Sequence, residues 1–361
     1  MFKLIKLKGV FMNLISHPHR RLNPLTGEWV LVSPNRLQRP WQGKTDAVRT
    51  ESLPDYDKEC YLCPGNIRAN GEYNPGYKQT YVFTNDYSAL YLDIPEPVRY
   101  DDGVFAYQSE QGVCRVICYT PNHNISFATM DIKTIEAVIE VWMDEYRTLG
   151  NRQEINYVQI FENRGKQAGC SNPHPHGQIW ANAHIPVLPQ KETDKQLEYL
   201  KATDRCLLCD YAAREKEQRE RIVAENNHFL LLVPFWAVWP YEVMILPKRH
   251  IPALSALSPD ERSSLAEILS LTCIKYDNLF QTDFPYSMGI HQQPTDGNEH
   301  REWHCHFHFN PPLLRSAAIA KFMVGYEMMA MPQRDITPET SAGILQELET
   351  IHYTQWKEKN S

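Results

Sequence analysis

Two histidines, two positions apart, mark the segment with the clearest chemistry. The segment reads Gly169-Cys170-Ser171-Asn172-Pro173-His174-Pro175-His176-Gly177-Gln178 and leads into a predicted strand. Its prolines fix φ at about −65° and keep the residues before them out of a helix, so the segment must be extended. Alternation then places His174, His176 and Gln178 on one face. Because a histidine of pKa about 6.5 is largely neutral at about pH 7, the pattern predicts nucleophilic attack on phosphorus.

The residues around this pair suit transfer of a group rather than its hydrolysis. Gln178 can hydrogen-bond a phosphoryl oxygen but, unlike a third histidine, cannot give a proton to a leaving group. The glycine-bearing approach lets backbone N–H groups close around an anion. The alternative interpretation is an irregular edge strand whose histidines have no ligand.

A Cys-x-x-Cys pair suggests a metal site near the same segment. Cys60 and Cys63 supply two thiolates that can bind one ion, and His123 and His174 could complete a tetrahedral set. With His174 fixed on a metal ion, His176 would be held in one orientation. The alternative is a pair of buried thiols.

The elements that must position these residues occur twice in the same order. Each half has a Cys-x-x-Cys pair, a strand, a strand leading to a proline and a nearby histidine, a helix, another strand and a His-x-His strand. Apolar spacing predicts helices over 131–149 and 258–280, and strands at 28–33, 80–84, 115–119, 156–161, 178–183, 229–234, 242–247, 286–291 and 303–309. We infer a duplication, with halves at 17–188 and 203–353 and a polar boundary at 188–203.

The repeat pairs the first possible metal site with four residues of the second half. These residues are Cys206, Cys209, His250 and His304. A further Cys2His2 zinc site is one hypothesis, and two buried free thiols are the alternative.

Composition narrows the class of protein. A chain of 361 residues with 42% hydrophobic and 22% charged residues is long enough for two cores and unlike a disordered chain. Its net charge of −7, without a dense basic tract, disfavours nucleic-acid binding. Lysines interrupt the apolar start, and no run is long enough to span a membrane. Nine cysteines without an export signal favour metal binding over disulfides and predict a cytoplasmic protein.

Five sequence strings carry a family resemblance over roughly residues 17–353. They are NPHPHGQIWAN, NPLTGEWVLVSPNRLQRPWQG, YVFTND, FPYSMG and PPLLRSAAIAKFMVGYEMMA. Together they resemble the galactose-1-phosphate uridylyltransferases of the histidine-triad superfamily. The resemblance implies a ping-pong reaction in which UDP-glucose gives UMP to His176, glucose 1-phosphate leaves, and galactose 1-phosphate collects the UMP as UDP-galactose.

The same resemblance assigns substrate contacts. It implies phosphate or nucleotide contacts for Arg36, Arg39, Asn163, Gly169, Cys170 and Ser171, and nucleoside contacts for Asn85 and Asp86. It also implies that one segment reaches the hexose phosphate in the active site of a second subunit, and hence a homodimer; the residues are Lys321, Phe322, Val324, Gly325, Tyr326, Glu327 and Gln333. Without the resemblance, Arg36 and Arg39 could be surface charges, and Asn85 and Asp86 could form a turn. The segment 321–333 could be an amphipathic helix that packs on the core of its own chain.

Two structural metal ions follow from the resemblance. It implies zinc at Cys60, Cys63, His123 and His174, and iron or zinc at Glu192, His291, His306 and His308. His306 and His308 share a strand face at a period of two, which suits chelation of either ion. A histidine pair on a core strand without metal is the alternative.

The expected architecture is α+β, a duplicated histidine-triad-like fold. Two antiparallel sheets would form half-barrels with helices packed outside, and the His174–Gln178 strip would lie at the sheet edge of the first half. Two other functions remain open. One is a related enzyme, either a nucleotidyl-sugar phosphorylase or a nucleotide hydrolase, and the other is a nonenzymatic nucleotide-binding module.

Overall fold

The computed structural model describes residues 16–38, 53–94 and 98–360. The strands are β1 (His19–Leu22), β2 (Trp29–Val32), β3 (Tyr81–Thr84), β4 (Arg99–Asp101), β5 (Ala106–Gln108), β6 (Gly112–Cys118), β7 (Tyr157–Arg164), β8 (His176–Asn182), β9 (Ile222–Glu225), β10 (Phe229–Leu232), β11 (Val243–Pro247), β12 (Tyr286–His291), β13 (His306–Asn310), β14 (Leu313–Ser316), β15 (Ile319–Ala320) and β16 (Gln333–Arg334). The α-helices are α1 (Ile132–Gly150), α2 (Val187–Thr203), α3 (Leu207–Gln218), α4 (Pro259–Phe280), α5 (Tyr326–Met329), α6 (Pro338–Glu347) and α7 (Tyr353–Asn360).

One antiparallel sheet runs through both halves of the chain. Its nine strands lie in the order β3-β6-β8-β7-β12-β13-β11-β10-β9. The order β3-β6-β8-β7 of the first half is repeated in reverse as β12-β13-β11-β10 in the second, and β7 pairs with β12. The predicted α+β fold with a duplicated antiparallel arrangement is confirmed, but the strands of both halves form one open sheet where two half-barrel sheets were expected.

The prediction that the His174–Gln178 strip lies at a sheet edge was wrong. Strand β8 is an interior strand, paired with β6 on one side and β7 on the other. Proline cannot donate to a strand ladder, so the two prolines of this segment would be unfavourable inside an interior strand. Both lie before His176, the first residue of β8, so the paired part of the strand contains no proline.

Helices α1 and α4 pack against each other and cover one face of this sheet. The inward stripe of α1 includes Ile135, Ile139 and the fully buried Trp142, each contributing roughly 1.5–3 kcal/mol by burial. Helix α4 begins at a capping box in which Ser258 and Glu261 satisfy each other's backbone N–H groups. The sheet face under these helices is therefore core, and the opposite face is left for chemistry.

The N-terminal strands lie against the second half of the chain. Strand β2 pairs with β1 and, in parallel, with β16. Buried Arg21 binds Glu339 at 2.8 Å, and Arg221 binds the same carboxylate at 2.7 Å. Because β2 leads directly to Arg36, this pairing brings Arg36 beside the segment that follows Ala320.

The polar boundary predicted at 188–203 forms helix α2. Its buried face includes Glu192, which points into the second half of the sheet toward His291. Within the part of the chain that the structure describes, no helix is both long and apolar enough to cross a bilayer.

Candidate active site

His176 has one ring nitrogen engaged and the other free for chemistry. Its Nδ1 lies 2.7 Å from the carbonyl oxygen of His174. Because a carbonyl only accepts, Nδ1 carries the proton and donates it, and Nε2 keeps its lone pair. No described residue hydrogen-bonds Nε2, which faces a small recess. Burial lowers the pKa of His176, an effect that the His174 carbonyl partly opposes, so the neutral imidazole is favoured.

Two amide side chains line the same recess with their oxygens already occupied. The indole N–H of Trp180 donates to Gln178 Oε1 at 3.2 Å, and the Ser287 hydroxyl donates to Asn163 Oδ1 at 2.8 Å. An indole can only donate, so the Gln178 orientation is fixed by chemistry. Both NH2 groups remain as donors for an anion in the recess.

The loop before the histidines closes the recess. A 3-10 turn, Lys166–Ala168, is flanked by Gly165 and Gly169, whose φ values of 79° and 82° suit glycine. The N–H groups of Gly169 and Cys170 donate to Lys166 and Gly165 within the loop. The sequence suggested that backbone N–H groups of this loop would bind an anion, but these two N–H groups are already hydrogen-bonded within the loop. Ser171, which has no intrachain hydrogen bond among the described residues, remains available to a ligand.

A glycine lets β8 approach the core beside the nucleophile. A Cβ on Gly177 would lie 2.2 Å from the hydroxyl oxygen of Tyr119 and 3.1 Å from the Phe161 carbonyl oxygen. Tyr119 is buried against Phe127 and Trp142 and cannot move away easily. Glycine at 177 therefore sets how deeply His176 and Gln178 sit.

The first cysteine-histidine cluster lies directly before this strand. Its members are Cys60, Cys63, His123 and His174, and one ligand atom of each lies within 4.8 Å of the others. Cys63 Sγ is 3.5 Å from His123 Nδ1 and 3.6 Å from His174 Nδ1. His174 Nε2 donates to the Thr120 carbonyl at 2.9 Å, which turns Nδ1 toward the thiolates. This donor set could hold a tetrahedral ion.

The glutamate-histidine cluster gathers the second predicted set. Its members are Glu192, His291, His306 and His308. Glu192 Oε2 is 2.8 Å from His291 Nδ1 and 3.5 Å from His306 Nε2. Burial alone would raise the pKa of Glu192, but the facing histidines hold it below its usual range. The buried Nε2 atoms of His306 and His308 have no hydrogen-bond partner among the described residues, as expected for ligands of an ion.

Strand register relates this cluster to the nucleophile. Phe161 lies opposite Gln178 where β7 meets β8, and Gly289 lies opposite His308 where β12 meets β13. Gln178 and His308 therefore occupy equivalent positions in the two halves. His306, two residues before His308, corresponds to His176, two residues before Gln178. One face of the duplicated sheet carries His176 beside an open recess in one half and the glutamate-histidine cluster in the other.

A groove of about 550 Å³ holds most of the remaining predicted residues. It is lined by Leu31, Ser33, Arg36, Leu314, Ala320, Lys321, Phe322, Val324, Tyr326, Glu327, Gln333 and Asp335. Lys321 Nζ binds Glu327 at 2.8 Å, and Arg36 Nε binds Asp335 at 2.9 Å. Gly325, with φ of 55°, precedes helix α5 beside the groove. The groove shares no lining residue with the His176 recess.

The predicted nucleoside contacts form a turn after β3. Asn85 Oδ1 accepts from the Tyr87 N–H at 3.0 Å, and Asp86 lies 3.7 Å from Arg68. Neither residue lines the His176 recess or the groove. Arg39 lies outside the described residues.

Three polar residues of these sites were missed from the sequence. Trp180 holds Gln178, Ser287 holds Asn163, and Asp335 holds Arg36. Only Trp180 left a signal, since it follows Gln178 at strand period two and shares its face. The other two pairs join residues more than a hundred positions apart.

Family models match nearly the whole chain. Residues 10–186 match the model described as galactose-1-phosphate uridyl transferase, N-terminal domain, and residues 192–357 match the C-terminal domain model of the same name.

Individual proteins show the same similarity. Galactose-1-phosphate uridylyltransferase of Haemophilus influenzae is 49% identical over 339 residues, which cover 94% of this chain and 97% of that protein. A solved uridylyltransferase structure is 27% identical with a TM-score of 0.72, covering 91% of this chain and 97% of its own. An ADP-glucose phosphorylase structure from Arabidopsis thaliana, 23% identical, shares the fold with a TM-score of 0.72 over 92% of this chain and 99% of its own.

Proposed function

Because the chain belongs to the galactose-1-phosphate uridylyltransferase family, we propose that it moves UMP from UDP-glucose to galactose 1-phosphate through a covalent intermediate on His176. The enzyme is a transferase, and its products are UDP-galactose and glucose 1-phosphate. The observation that carries the residue assignment is the His176 ring, with Nδ1 held by a carbonyl and Nε2 open to the recess.

In the first half-reaction, His176 Nε2 bonds to the α-phosphorus of UDP-glucose. The bond from that phosphorus to the bridging oxygen breaks, and glucose 1-phosphate leaves with the electron pair. A phosphate monoester has a second pKa of about 6 and leaves without a proton, so an acid at position 178 is not needed. The His174 carbonyl stabilises the positive charge on the uridylylated ring through Nδ1–H.

In the second half-reaction, a phosphate oxygen of galactose 1-phosphate attacks the same phosphorus. The phosphorus–nitrogen bond breaks and its electron pair returns to Nε2. We assign to the NH2 groups of Gln178 and Asn163, and to Ser171, hydrogen bonds to the non-bridging oxygens in both steps, because all three residues line the recess of His176. Gly169 and Cys170 shape the same wall of the recess.

Exchange kinetics test this function against the alternatives. The enzyme should convert UDP-glucose and galactose 1-phosphate to UDP-galactose, with a UMP-protein intermediate that is stable to base and labile to acid. Glucose 1-phosphate should serve in the reverse exchange, and inorganic phosphate should not. Rapid consumption of UDP-glucose with phosphate would identify a phosphorylase instead, and consumption with water alone would identify a hydrolase.

Trp180→Phe should lower kcat by about 10- to 100-fold, which approaches the loss of a whole transition-state donor. Phenylalanine keeps an aromatic ring but has no N–H to donate to Gln178 Oε1. The amide then becomes free to turn its oxygen toward the phosphate. Steady-state exchange with both substrates varied measures the effect. Trp29→Phe, a change at a half-exposed ring away from the recess, is the matched control. An unchanged kcat would remove the orienting role.

The groove supports a homodimer with shared active sites. Phe322 is 60% exposed and Met329 is 84% exposed, and apolar neighbours extend the patch. Such patches mark contact surfaces. In the proposed dimer, the segment from Lys321 to Gln333 reaches the hexose phosphate held at the partner's recess. The separation of groove and recess within one chain supports this arrangement.

Mixed dimers test the shared site. His176→Asn and Lys321→Ala should each be nearly inactive, yet after co-expression with two different tags the doubly tagged heterodimers should have about half of wild-type activity, because each contains one intact site of two. Activity of the doubly tagged fraction, compared with each parent, provides the measurement. No recovery in purified heterodimers would place both residues in one chain's site.

Further assignments follow from the family and the clusters. We assign structural zinc to the first cysteine-histidine cluster, and iron or zinc to the glutamate-histidine cluster, because their donor types suit these ions. Asn85 and Asp86 would contact the nucleoside, and Arg39 would join Arg36 at the phosphates. We also propose that the chain divides into halves at 17–188 and 203–353. A cytoplasmic location completes the proposal, and the nine cysteines, none of them in a disulfide, support a reducing compartment.

A further inference from the structure

Four residues outside the catalytic machinery meet at the start of helix α3. They are Cys206, Cys209, His250 and His304, named here the second cysteine-histidine cluster, and one ligand atom of each lies within 4.8 Å of the others. We propose that this cluster binds a third metal ion, a divalent ion of the zinc class, in a closed structural site.

The distances within the cluster suit a common ion. Cys209 Sγ lies 3.2 Å from His304 Nδ1 and 3.5 Å from His250 Nδ1, and Cys206 Sγ lies 3.7 Å from His304 Nδ1. Ligands at about 2.0–2.3 Å from zinc in a tetrahedron are separated by similar distances. Both histidines present the same nitrogen, Nδ1, toward the thiols. Two unrelated free thiols would not require this convergence.

Contacts around the cluster repeat those of the first cysteine-histidine cluster. His304 Nε2 donates to the Pro247 carbonyl at 3.1 Å, as His174 Nε2 donates to the Thr120 carbonyl at 2.9 Å. Each hydrogen bond fixes the tautomer that leaves Nδ1 as a ligand. The two histidine rings in each cluster also lie edge to face, with centroids 5.2 Å and 5.6 Å apart. The second cluster therefore has both the donor atoms of a metal site and the surrounding hydrogen bonds that orient metal ligands.

The donor types select the class of ion. Two thiolates and two imidazoles prefer zinc over hard cations such as magnesium or calcium. All four tetrahedral positions would be filled by the chain, which leaves no site for water or substrate and indicates a structural role. Cys206 also accepts from the Cys209 N–H at 3.3 Å at the beginning of α3, so the thiolate would sit at a helix N-terminus.

An ion here would also steady the glutamate-histidine cluster. The carbonyl oxygen of His304 accepts from His306 Nδ1 at 2.8 Å, and His306 Nε2 points toward Glu192. His174 holds His176 through the same contact in the first half. Fixing His304 on a metal ion would therefore orient a ligand of the neighbouring site.

Metal analysis of the intact enzyme tests the proposal. The double variant Cys206→Ser, Cys209→Ser should contain one metal ion fewer per chain than the wild type, while Cys114→Ser, a buried thiol outside all three clusters, should keep the full content. After exchange with Co²⁺, the thiolate-to-cobalt charge-transfer band should fall to about half in the double variant, since two clusters carry two thiolates each. Unchanged metal content and an unchanged band would overturn the proposal.

A second measurement covers the case in which the double variant does not fold. In the wild-type holoenzyme, Cys206 and Cys209 should react slowly with a thiol reagent until a chelator is added, and His250→Gln should speed that reaction. Mass spectrometry of the labelled peptide identifies the thiols. Rapid labelling without a chelator, with no metal released, would show two free thiols and contradict the site.

Discussion

Replacing His176 with asparagine should reduce uridylyl exchange by about 10⁴-fold or more, as expected when a covalent nucleophile is removed. Asparagine can still donate to the His174 carbonyl but has no lone-pair nitrogen to attack phosphorus. The protein should also fail to retain UMP after incubation with UDP-glucose labelled in uridine. Exchange rates and acid-labile label per chain give two independent measurements.

The control for this change is His184→Asn. His184 is exposed and pairs with Glu110 away from the recess, so its removal should leave both exchange and labelling intact. Stable UMP labelling of His176→Asn, at a wild-type rate, would mean that another residue is the nucleophile.

Cys63→Ser should give the second-largest effect, a loss of metal from the first cysteine-histidine cluster together with most activity. Loss of a structural metal belongs to the class of changes that destabilise by about 4 kcal/mol or more. His174 would lose its metal bond, the backbone that carries its carbonyl would no longer be fixed, and His176, which that carbonyl orients, should become mobile. Calorimetry measures the unfolding temperature, and single-turnover labelling measures the first half-reaction.

Cys114→Ser is the matched control, since Cys114 is fully buried but belongs to no cluster. It should keep its metal content and labelling rate, whatever small loss of stability follows. If Cys63→Ser retained full metal content and a wild-type labelling rate, the link from metal to nucleophile would be wrong.

Local elements followed closely from residue patterns. Helices predicted over 131–149 and 258–280 are found at Ile132–Gly150 and Pro259–Phe280. Their caps and apolar stripes lie within one short stretch of sequence, so they can be recognised from the sequence alone. The neighbours of each strand could not be derived this way. A period of two shows which side chains face inward but not which strand lies alongside. The interior place of β8 and the junction of β7 with β12 depend on pairing between distant segments.

The site divides in the same manner. The His174–His176 spacing predicted a fixed ligand beside a nucleophile; in the structure His174 Nδ1 lies 3.6 Å from Cys63 Sγ, and His176 Nδ1 lies 2.7 Å from the His174 carbonyl oxygen. The place of Arg36 was not visible in its own neighbourhood. It lies with Asp335 and Lys321 because β2 pairs with β16, a contact across about three hundred residues. Ser287 has no sequence feature that marks it as part of a site, and its role depends on its hydrogen bond to Asn163.

The junction of β7 with β12 bears on how the chain can be divided. Four consecutive hydrogen-bonded strands from one half continue without a gap into those of the other. A fragment ending before α2 would expose β7 as a bare edge, and the complementary fragment would expose β12. Unprotected edges recruit other strands and promote aggregation. The molecule should therefore fold and unfold as one cooperative body, although its sequence is built from two copies of one plan.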